Sequence, residues 1–152
     1  MPRVSCWTTP QLLPLGALLQ YRPPRQSYAT SVETNPESKT YSGSCHCGKV
    51  RFEVTAAVTG ASACNCSICG RRGWLMTSVE PEAFKLLSGS DAQTDYQFGR
   101  KTTHHLFCST CGVSSYGSYT VDGQEKVIVN LRCLNGLDLD ALEVQKYDGK
   151  NY

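Results

Sequence analysis

Charge is scarce in this chain, and long apolar runs are missing from it. Asp, Glu, Lys and Arg together make up 18% of its 152 residues, 15 basic against 13 acidic. No cluster of Lys and Arg forms a basic patch, so neither nucleic acid nor an anionic membrane surface is indicated as partner. The longest apolar stretch, Leu12 to Leu19, is broken by Pro14 and Gly16 and is far too short to span a bilayer. Internal repeats and low-complexity tracts are absent, and long helical periodicity is almost absent. The formal charge of +2 also hides an asymmetry. Residues 1–32 hold Arg3, Arg22 and Arg25 and no acid before Glu33, so the remainder of the chain carries −1.

What is abundant is cysteine, with nine residues. The spacing argues against a disulfide framework. Cys45 and Cys47, like Cys64 and Cys66, are one residue apart and could bridge each other only under strain. Long-range pairings would leave one of the nine over. Metal binding fits better. Cys64-Asn65-Cys66-Ser67-Ile68-Cys69 brings three thiols within six residues, enough for one tight turn to deliver all three to a single ion. Cys45-His46-Cys47 and Cys108-Ser109-Thr110-Cys111 are each too small to satisfy zinc alone and are expected to join as a four-thiolate site. Spacing alone also allows Cys64 and Cys66 to pair with Cys108 and Cys111. With four thiolates on one Zn²⁺ and three on another, the charge of the remainder falls to about −4. A four-ligand zinc is closed, whereas three protein ligands leave a position for water or substrate. The expectation is therefore one structural zinc and one working zinc. Cys6 falls in the N-terminal segment, and Cys133 reads as a structural thiol.

The chain divides into three parts. Residues 1–31 are Arg-bearing, acid-free and rich in Ser, Thr and Pro, as in a mitochondrial transit peptide, with Arg25-Gln26-Ser27-Tyr28-Ala29 as the processing site. A secretory signal and an addressless tail are the alternatives; an oxidising lumen would threaten a seven-thiol metal framework. If the segment is not an address, a cytoplasmic location follows. Residues 32–40 read as a polar linker and 41–152 as the working domain.

Within that domain the signals are mostly β. Lys49–Val54 alternates polar and apolar residues, and Trp74–Val79, Thr94–Phe98, Ser114–Tyr119, Glu125–Leu131 and Val144–Tyr147 read as further strands. Asp122-Gly123 marks a hairpin turn. Pro81–Leu87 predicts one or two helical turns, and Asp138–Leu142 another. The fold class is mainly β. His46 should face solvent or lie behind the metal ligands. Of His104 and His105, strand alternation sends one imidazole inward, where it could be a fourth ligand or a proton carrier, or simply pack. Arg71 and Arg72 could hold a substrate carboxylate or form a solvated turn.

Gly-Ser-Cys-His-Cys-Gly-Lys-Val-Arg-Phe-Glu-Val from Gly43, Cys-Asn-Cys-Ser-Ile-Cys from Cys64 and Phe-Cys-Ser-Thr-Cys-Gly from Phe107 resemble the glutathione-dependent formaldehyde-activating enzyme family, which includes centromere protein V. The resemblance runs from about Gly43 to Tyr147, and the ending Val129-Asn130-Leu131-Arg132-Cys133-Leu134, with Tyr147-Asp148-Gly149, is similar to fungal members. It implies an Mss4-like fold of small packed antiparallel sheets. It also implies two zinc ions, structural at Cys45, Cys47, Cys108 and Cys111 and catalytic at Cys64, Cys66 and Cys69. The activity implied is that of a carbon–sulfur lyase joining a small thiol, glutathione, to a small aldehyde, formaldehyde, as S-hydroxymethylglutathione, or reversing that step. A zinc-stabilised protein-binding module without catalysis is the alternative.

Overall fold

A computed structural model describes residues 37–151. The leader-like segment, most of the linker and Cys6 lie outside the described residues. The first strand, β1 (Lys39–Ser44), opens two residues ahead of the domain start expected at Tyr41. It pairs antiparallel with β2 (Arg51–Ala56), which pairs with β5 (Phe84–Ser88), and the three make a small sheet in the order β1-β2-β5. The alternation read in the sequence places Phe52 and Val54 inward, 0% and 1% exposed.

The second sheet has seven strands. Beyond those named, it is built from β3 (Gly60–Cys64), β4 (Met76–Val79), β6 (Gln93–Tyr96), β7 (Thr103–Cys108), β8 (Tyr116–Val121), β9 (Gln124–Asn130) and β10 (Glu143–Tyr147), in the order β10-β3-β4-β9-β8-β7-β6. Its pairs are antiparallel except at one edge, where β10 runs parallel to β3 with Tyr147 opposite Cys64. Parallel pairing needs a long crossover, and here the chain returns to β3 after almost the whole domain has been laid down. The β8–β9 hairpin turns on Asp122 and Gly123, with φ of 51° and 76°, the double left-handed conformation that such a two-residue turn requires.

The two sheets meet through aromatic rings. Phe52 stacks on Phe84 at 5.2 Å between centroids, and Phe84 reaches Tyr116 at 4.5 Å. Val129 and Leu131, both 0% exposed, continue the core into the large sheet. Gly43, paired with Phe52, leaves room for that ring, since a Cβ there would lie 2.3 Å from it.

Two expected helical segments take other forms. Pro81–Ala83 makes a single 3₁₀ turn, and the chain then extends as β5. The alternating burial of Phe84 and Leu86, with Phe84 against Phe52, outweighs the helix-start signal of Pro81. Asp138–Leu142 forms a turn, closed by the Asp138 carboxylate accepting from the Asp140 N–H at 3.1 Å. A four-residue α-helix, α1 (Cys69–Arg72), is the one α-helical turn among the described residues. No helix among them is long and apolar enough to cross a membrane.

Candidate metal centres and their cleft

Two knuckles bring four thiols together. After β1 the chain turns at Cys45–Gly48 and folds back, the Cys45 and Val50 backbones bonding at 3.0 Å, while the Val50 N–H points at Cys45 Sγ, 3.4 Å away. After β7 the Cys108 N–H reaches the Val113 carbonyl at 2.9 Å and the Gly112 N–H returns to the Cys108 carbonyl at 2.8 Å. Lys49 Nζ ties the knuckles by donating to Thr110 Oγ1 at 3.0 Å. Cys47 Sγ lies 3.6 Å from both Cys45 Sγ and Cys108 Sγ. That is far outside disulfide bonding, but close to the ~3.8 Å between sulfurs on a tetrahedral ion with bonds of about 2.3 Å. The four sulfurs of Cys45, Cys47, Cys108 and Cys111 all lie within 4.8 Å of one another. The partition with Cys64 and Cys66 is therefore not the one formed. Cys45 and Cys108 are 1% exposed, so this site is closed on its inner side. The Val113 and Cys47 backbone N–H groups draw the Cys111 thiol down to about 6, which favours the thiolate a cation needs.

The second cluster forms where β3 ends. Cys64 is the last residue of β3, Cys66 sits in the turn, and Cys69 opens α1, which Gly73 closes in the left-handed conformation with its N–H on the Cys69 carbonyl at 2.9 Å. Backbone N–H groups again face sulfur, Cys66 N to Cys64 Sγ at 3.4 Å and Cys69 N to Cys66 Sγ at 3.5 Å. The three sulfurs of Cys64, Cys66 and Cys69 lie within 4.8 Å of one another, with no His, Asp or Glu among the described residues joining the cluster. Burial, followed by the Cys66 and Cys64 thiols, pushes the Cys69 thiol up to about 12. The Cys66 thiol goes the other way: against its own burial, the Cys69 and Ile68 backbone N–H groups draw it down, and a cation would relieve the like-charge cost at Cys69. The donor set fits a soft divalent metal such as zinc.

Around this trio the C-terminal residues form a strap. Asn65 donates from its backbone N–H to the Tyr147 carbonyl at 3.1 Å and from Nδ2 to Asp148 Oδ1 at 2.8 Å, and its Oδ1 accepts the Lys150 N–H at 2.9 Å. Asn151 Nδ2 donates to the other Asp148 oxygen at 2.6 Å. Gly149 lies directly on the trio.

The trio is half-buried, and Cys66 opens onto a cleft of about 850 Å³, within the range of small-molecule sites. Arg71, Arg100 and Lys150 line it, and no carboxylate among the described residues does. Phe98 and His105 form a wall, their rings stacked at 5.4 Å and 15°. Of the two arginines picked out by sequence, Arg71 is on the cleft, its Nη1 bonded to the Ser67 carbonyl at 2.5 Å. The Arg72 guanidinium instead covers the Trp74 ring, 5.6 Å from its centroid, with Nη1 buried and without a hydrogen-bond partner among the described residues. His46 is exposed. Cys133 joins neither cluster; its half-buried thiol points to the Ser114 carbonyl at 4.0 Å. Sequence reasoning missed Asn65, Phe98, Arg100, Gly149 and Lys150. Of these, Asn65 stands between two ligands and Gly149 belongs to a stretch noted for its resemblance alone.

A family model described as glutathione-dependent formaldehyde-activating enzyme matches residues 40–146. Among solved structures, a crystal structure of a protein from Rhodobacter sphaeroides is 31% identical with a TM-score of 0.61, the match covering 68% of this chain and 99% of that one.

Proposed function

The chain belongs to the glutathione-dependent formaldehyde-activating enzyme family, and from that premise we propose that it is a zinc-dependent carbon–sulfur lyase. Membership implies activation of formaldehyde by glutathione. The finer reading is reversible formation of a thiol–aldehyde adduct such as S-hydroxymethylglutathione. One observation supports it above the rest: a three-thiol cluster opens onto a cleft that, among the described residues, is lined by cations and by no carboxylate.

In this reading Cys45, Cys47, Cys108 and Cys111 hold a structural zinc, and Cys64, Cys66 and Cys69 hold the working one. The working zinc, when bound, supplies a Lewis-acidic position that lowers the pKa of an incoming thiol toward neutrality. The chain supplies the rest. Arg71, Arg100 and Lys150 hold the carboxylates of the thiol substrate by charge-assisted hydrogen bonds. Gly149 and the strap cover the Cys64 side of the trio, so the substrate sulfur approaches past Cys66. Phe98 and His105 shield one wall from water. Holding thiol and aldehyde together in this space converts a two-body encounter into a local one.

The test is the exchange rate between free formaldehyde and its thiol adduct, measured by NMR on metal-loaded protein. Adduct formation with glutathione should be accelerated more than with 2-mercaptoethanol, which has no carboxylate. Arg100→Gln should raise KM for glutathione roughly tenfold, one charge-assisted hydrogen bond, without affecting mercaptoethanol. No acceleration over protein-free solution would overturn the reading.

A further inference from the structure

The cleft wall contains a group with free proton-carrying capacity. β7 carries His104 and His105 side by side, and strand alternation divides their rings between two faces. The His104 ring is engaged, with Nδ1 2.7 Å from Asp95 Oδ2 and both ring nitrogens within 3.1 Å of Gln97 Nε2. His105 is different. Its ring is held by faces alone, stacked on Phe98 at 5.4 Å and tilted against Tyr96 at 6.4 Å. Neither of its nitrogens has a hydrogen-bond partner among the described residues, yet it lines the same cleft as Cys66. It is not part of the three-thiol cluster, so the role of fourth metal ligand does not fall to it. A half-buried imidazole held by stacking, with both nitrogens unspent, is a group placed to exchange a proton with whatever occupies the cleft.

We propose that His105 is the proton carrier of the thiol–aldehyde reaction; this rests on the lyase reading above. In the forward direction the S–H bond breaks and the proton passes to the free imidazole nitrogen. The sulfur lone pair forms the new S–C bond, and the C=O π pair moves onto oxygen. The imidazolium then returns the proton to that oxygen, giving the hydroxymethyl thioether with no net proton gained or lost. The reverse reaction uses the same steps in the opposite order.

The surroundings favour the neutral ring. Burial comes first, and the Arg72 charge from α1 and the neighbouring His104 push the same way, against the Asp95 carboxylate on β6; together they hold His105 below its ordinary 6.5. Arg71 and Arg100, along the cleft, carry the same sign of charge as Arg72. His105 is then an unprotonated base at neutral pH, and turnover should fall as pH drops through its lowered value.

The experiment compares wild type, His105→Gln and His104→Gln, each zinc-loaded and verified for metal content, in the glutathione–formaldehyde exchange assay across pH. His105→Gln should lose roughly 100-fold or more in kcat, keep KM for glutathione nearly unchanged, and lose the acid limb of the wild-type profile. His104→Gln should keep the wild-type kcat and an acid limb, displaced only upward in pH because one of the influences that lower His105 is gone. In His105→Ala, added imidazole should restore part of the rate, a response that a packing role would not give. An active wild type with His105→Gln undiminished in kcat, or with its acid limb intact, overturns this inference alone. An inactive wild type overturns the lyase reading and this inference with it.

Discussion

At Gly149 a single hydrogen stands where any other residue would place carbon: a Cβ there would lie 2.5 Å from Cys64 Sγ and 3.1 Å from Cys66 Cβ. The neighbours cannot easily give way, because Cys64 and Cys66 belong to the three-thiol cluster and the strap is tied down through Asn65. Gly149→Ala should therefore cost about 1–3 kcal/mol of stability by overpacking and weaken metal binding at the trio while leaving the four-thiol site loaded. Thermal unfolding and metal content per chain check both halves. At this scale the sequence was informative where chemistry depends on local spacing. Cys64, Cys66 and Cys69 lie within one turn, so their meeting follows from the chain itself. Arg100, Phe98 and Gly149 reach the same cleft only through β6, β7 and β10, and no local pattern announces such a meeting.

Among the elements, the strap after β10 has a charge-dependent lock. Hydrogen bonds first from Asn65 and then from Asn151 hold the Asp148 carboxyl below its ordinary 3.8. A folded-state value lowered in this way contributes stability that is fully present above the ordinary value and is lost as pH falls through the lowered one. Acidification below the ordinary carboxylate range should thus free residues 148–151 from Asn65 before the sheets unfold. The Lys150 amide resonance, followed by NMR against pH, should report this, and Asp148→Asn should remove the acid-side transition. The strands themselves were largely legible, since alternation such as Phe52 and Val54 against Arg51 and Glu53 follows directly from pleat geometry. Of the one or two helical turns expected over Pro81–Leu87, only the 3₁₀ turn at Pro81–Ala83 forms, because the rest of the segment is claimed by a partner its start residue does not announce. Phe84 finds Phe52 on the neighbouring strand and Tyr116 across the sheet interface, and both contacts are non-local. The parallel β10–β3 pairing was not legible for the same reason.

For the whole molecule, the proposed function gives the two thiol clusters different duties. The four-thiol site joins chain positions 61 residues apart and sits against the core, with Cys45 and Cys108 among its buried members. In that reading a metal bound there cross-links the core, and removing one of the four thiols takes the cross-link away. Cys108→Ser should accordingly unfold the described domain or leave it without cooperative unfolding, as read by calorimetry. The trio follows the end of β3, and in the same reading it serves the cleft. The most direct test is a joint measurement of zinc stoichiometry, fold and glutathione–formaldehyde exchange in wild type and Cys66→Ser. The account predicts two zinc ions and turnover in wild type, and one zinc, an intact fold and abolished turnover in Cys66→Ser. An unfolded Cys66→Ser protein, or one that keeps wild-type turnover, would contradict it.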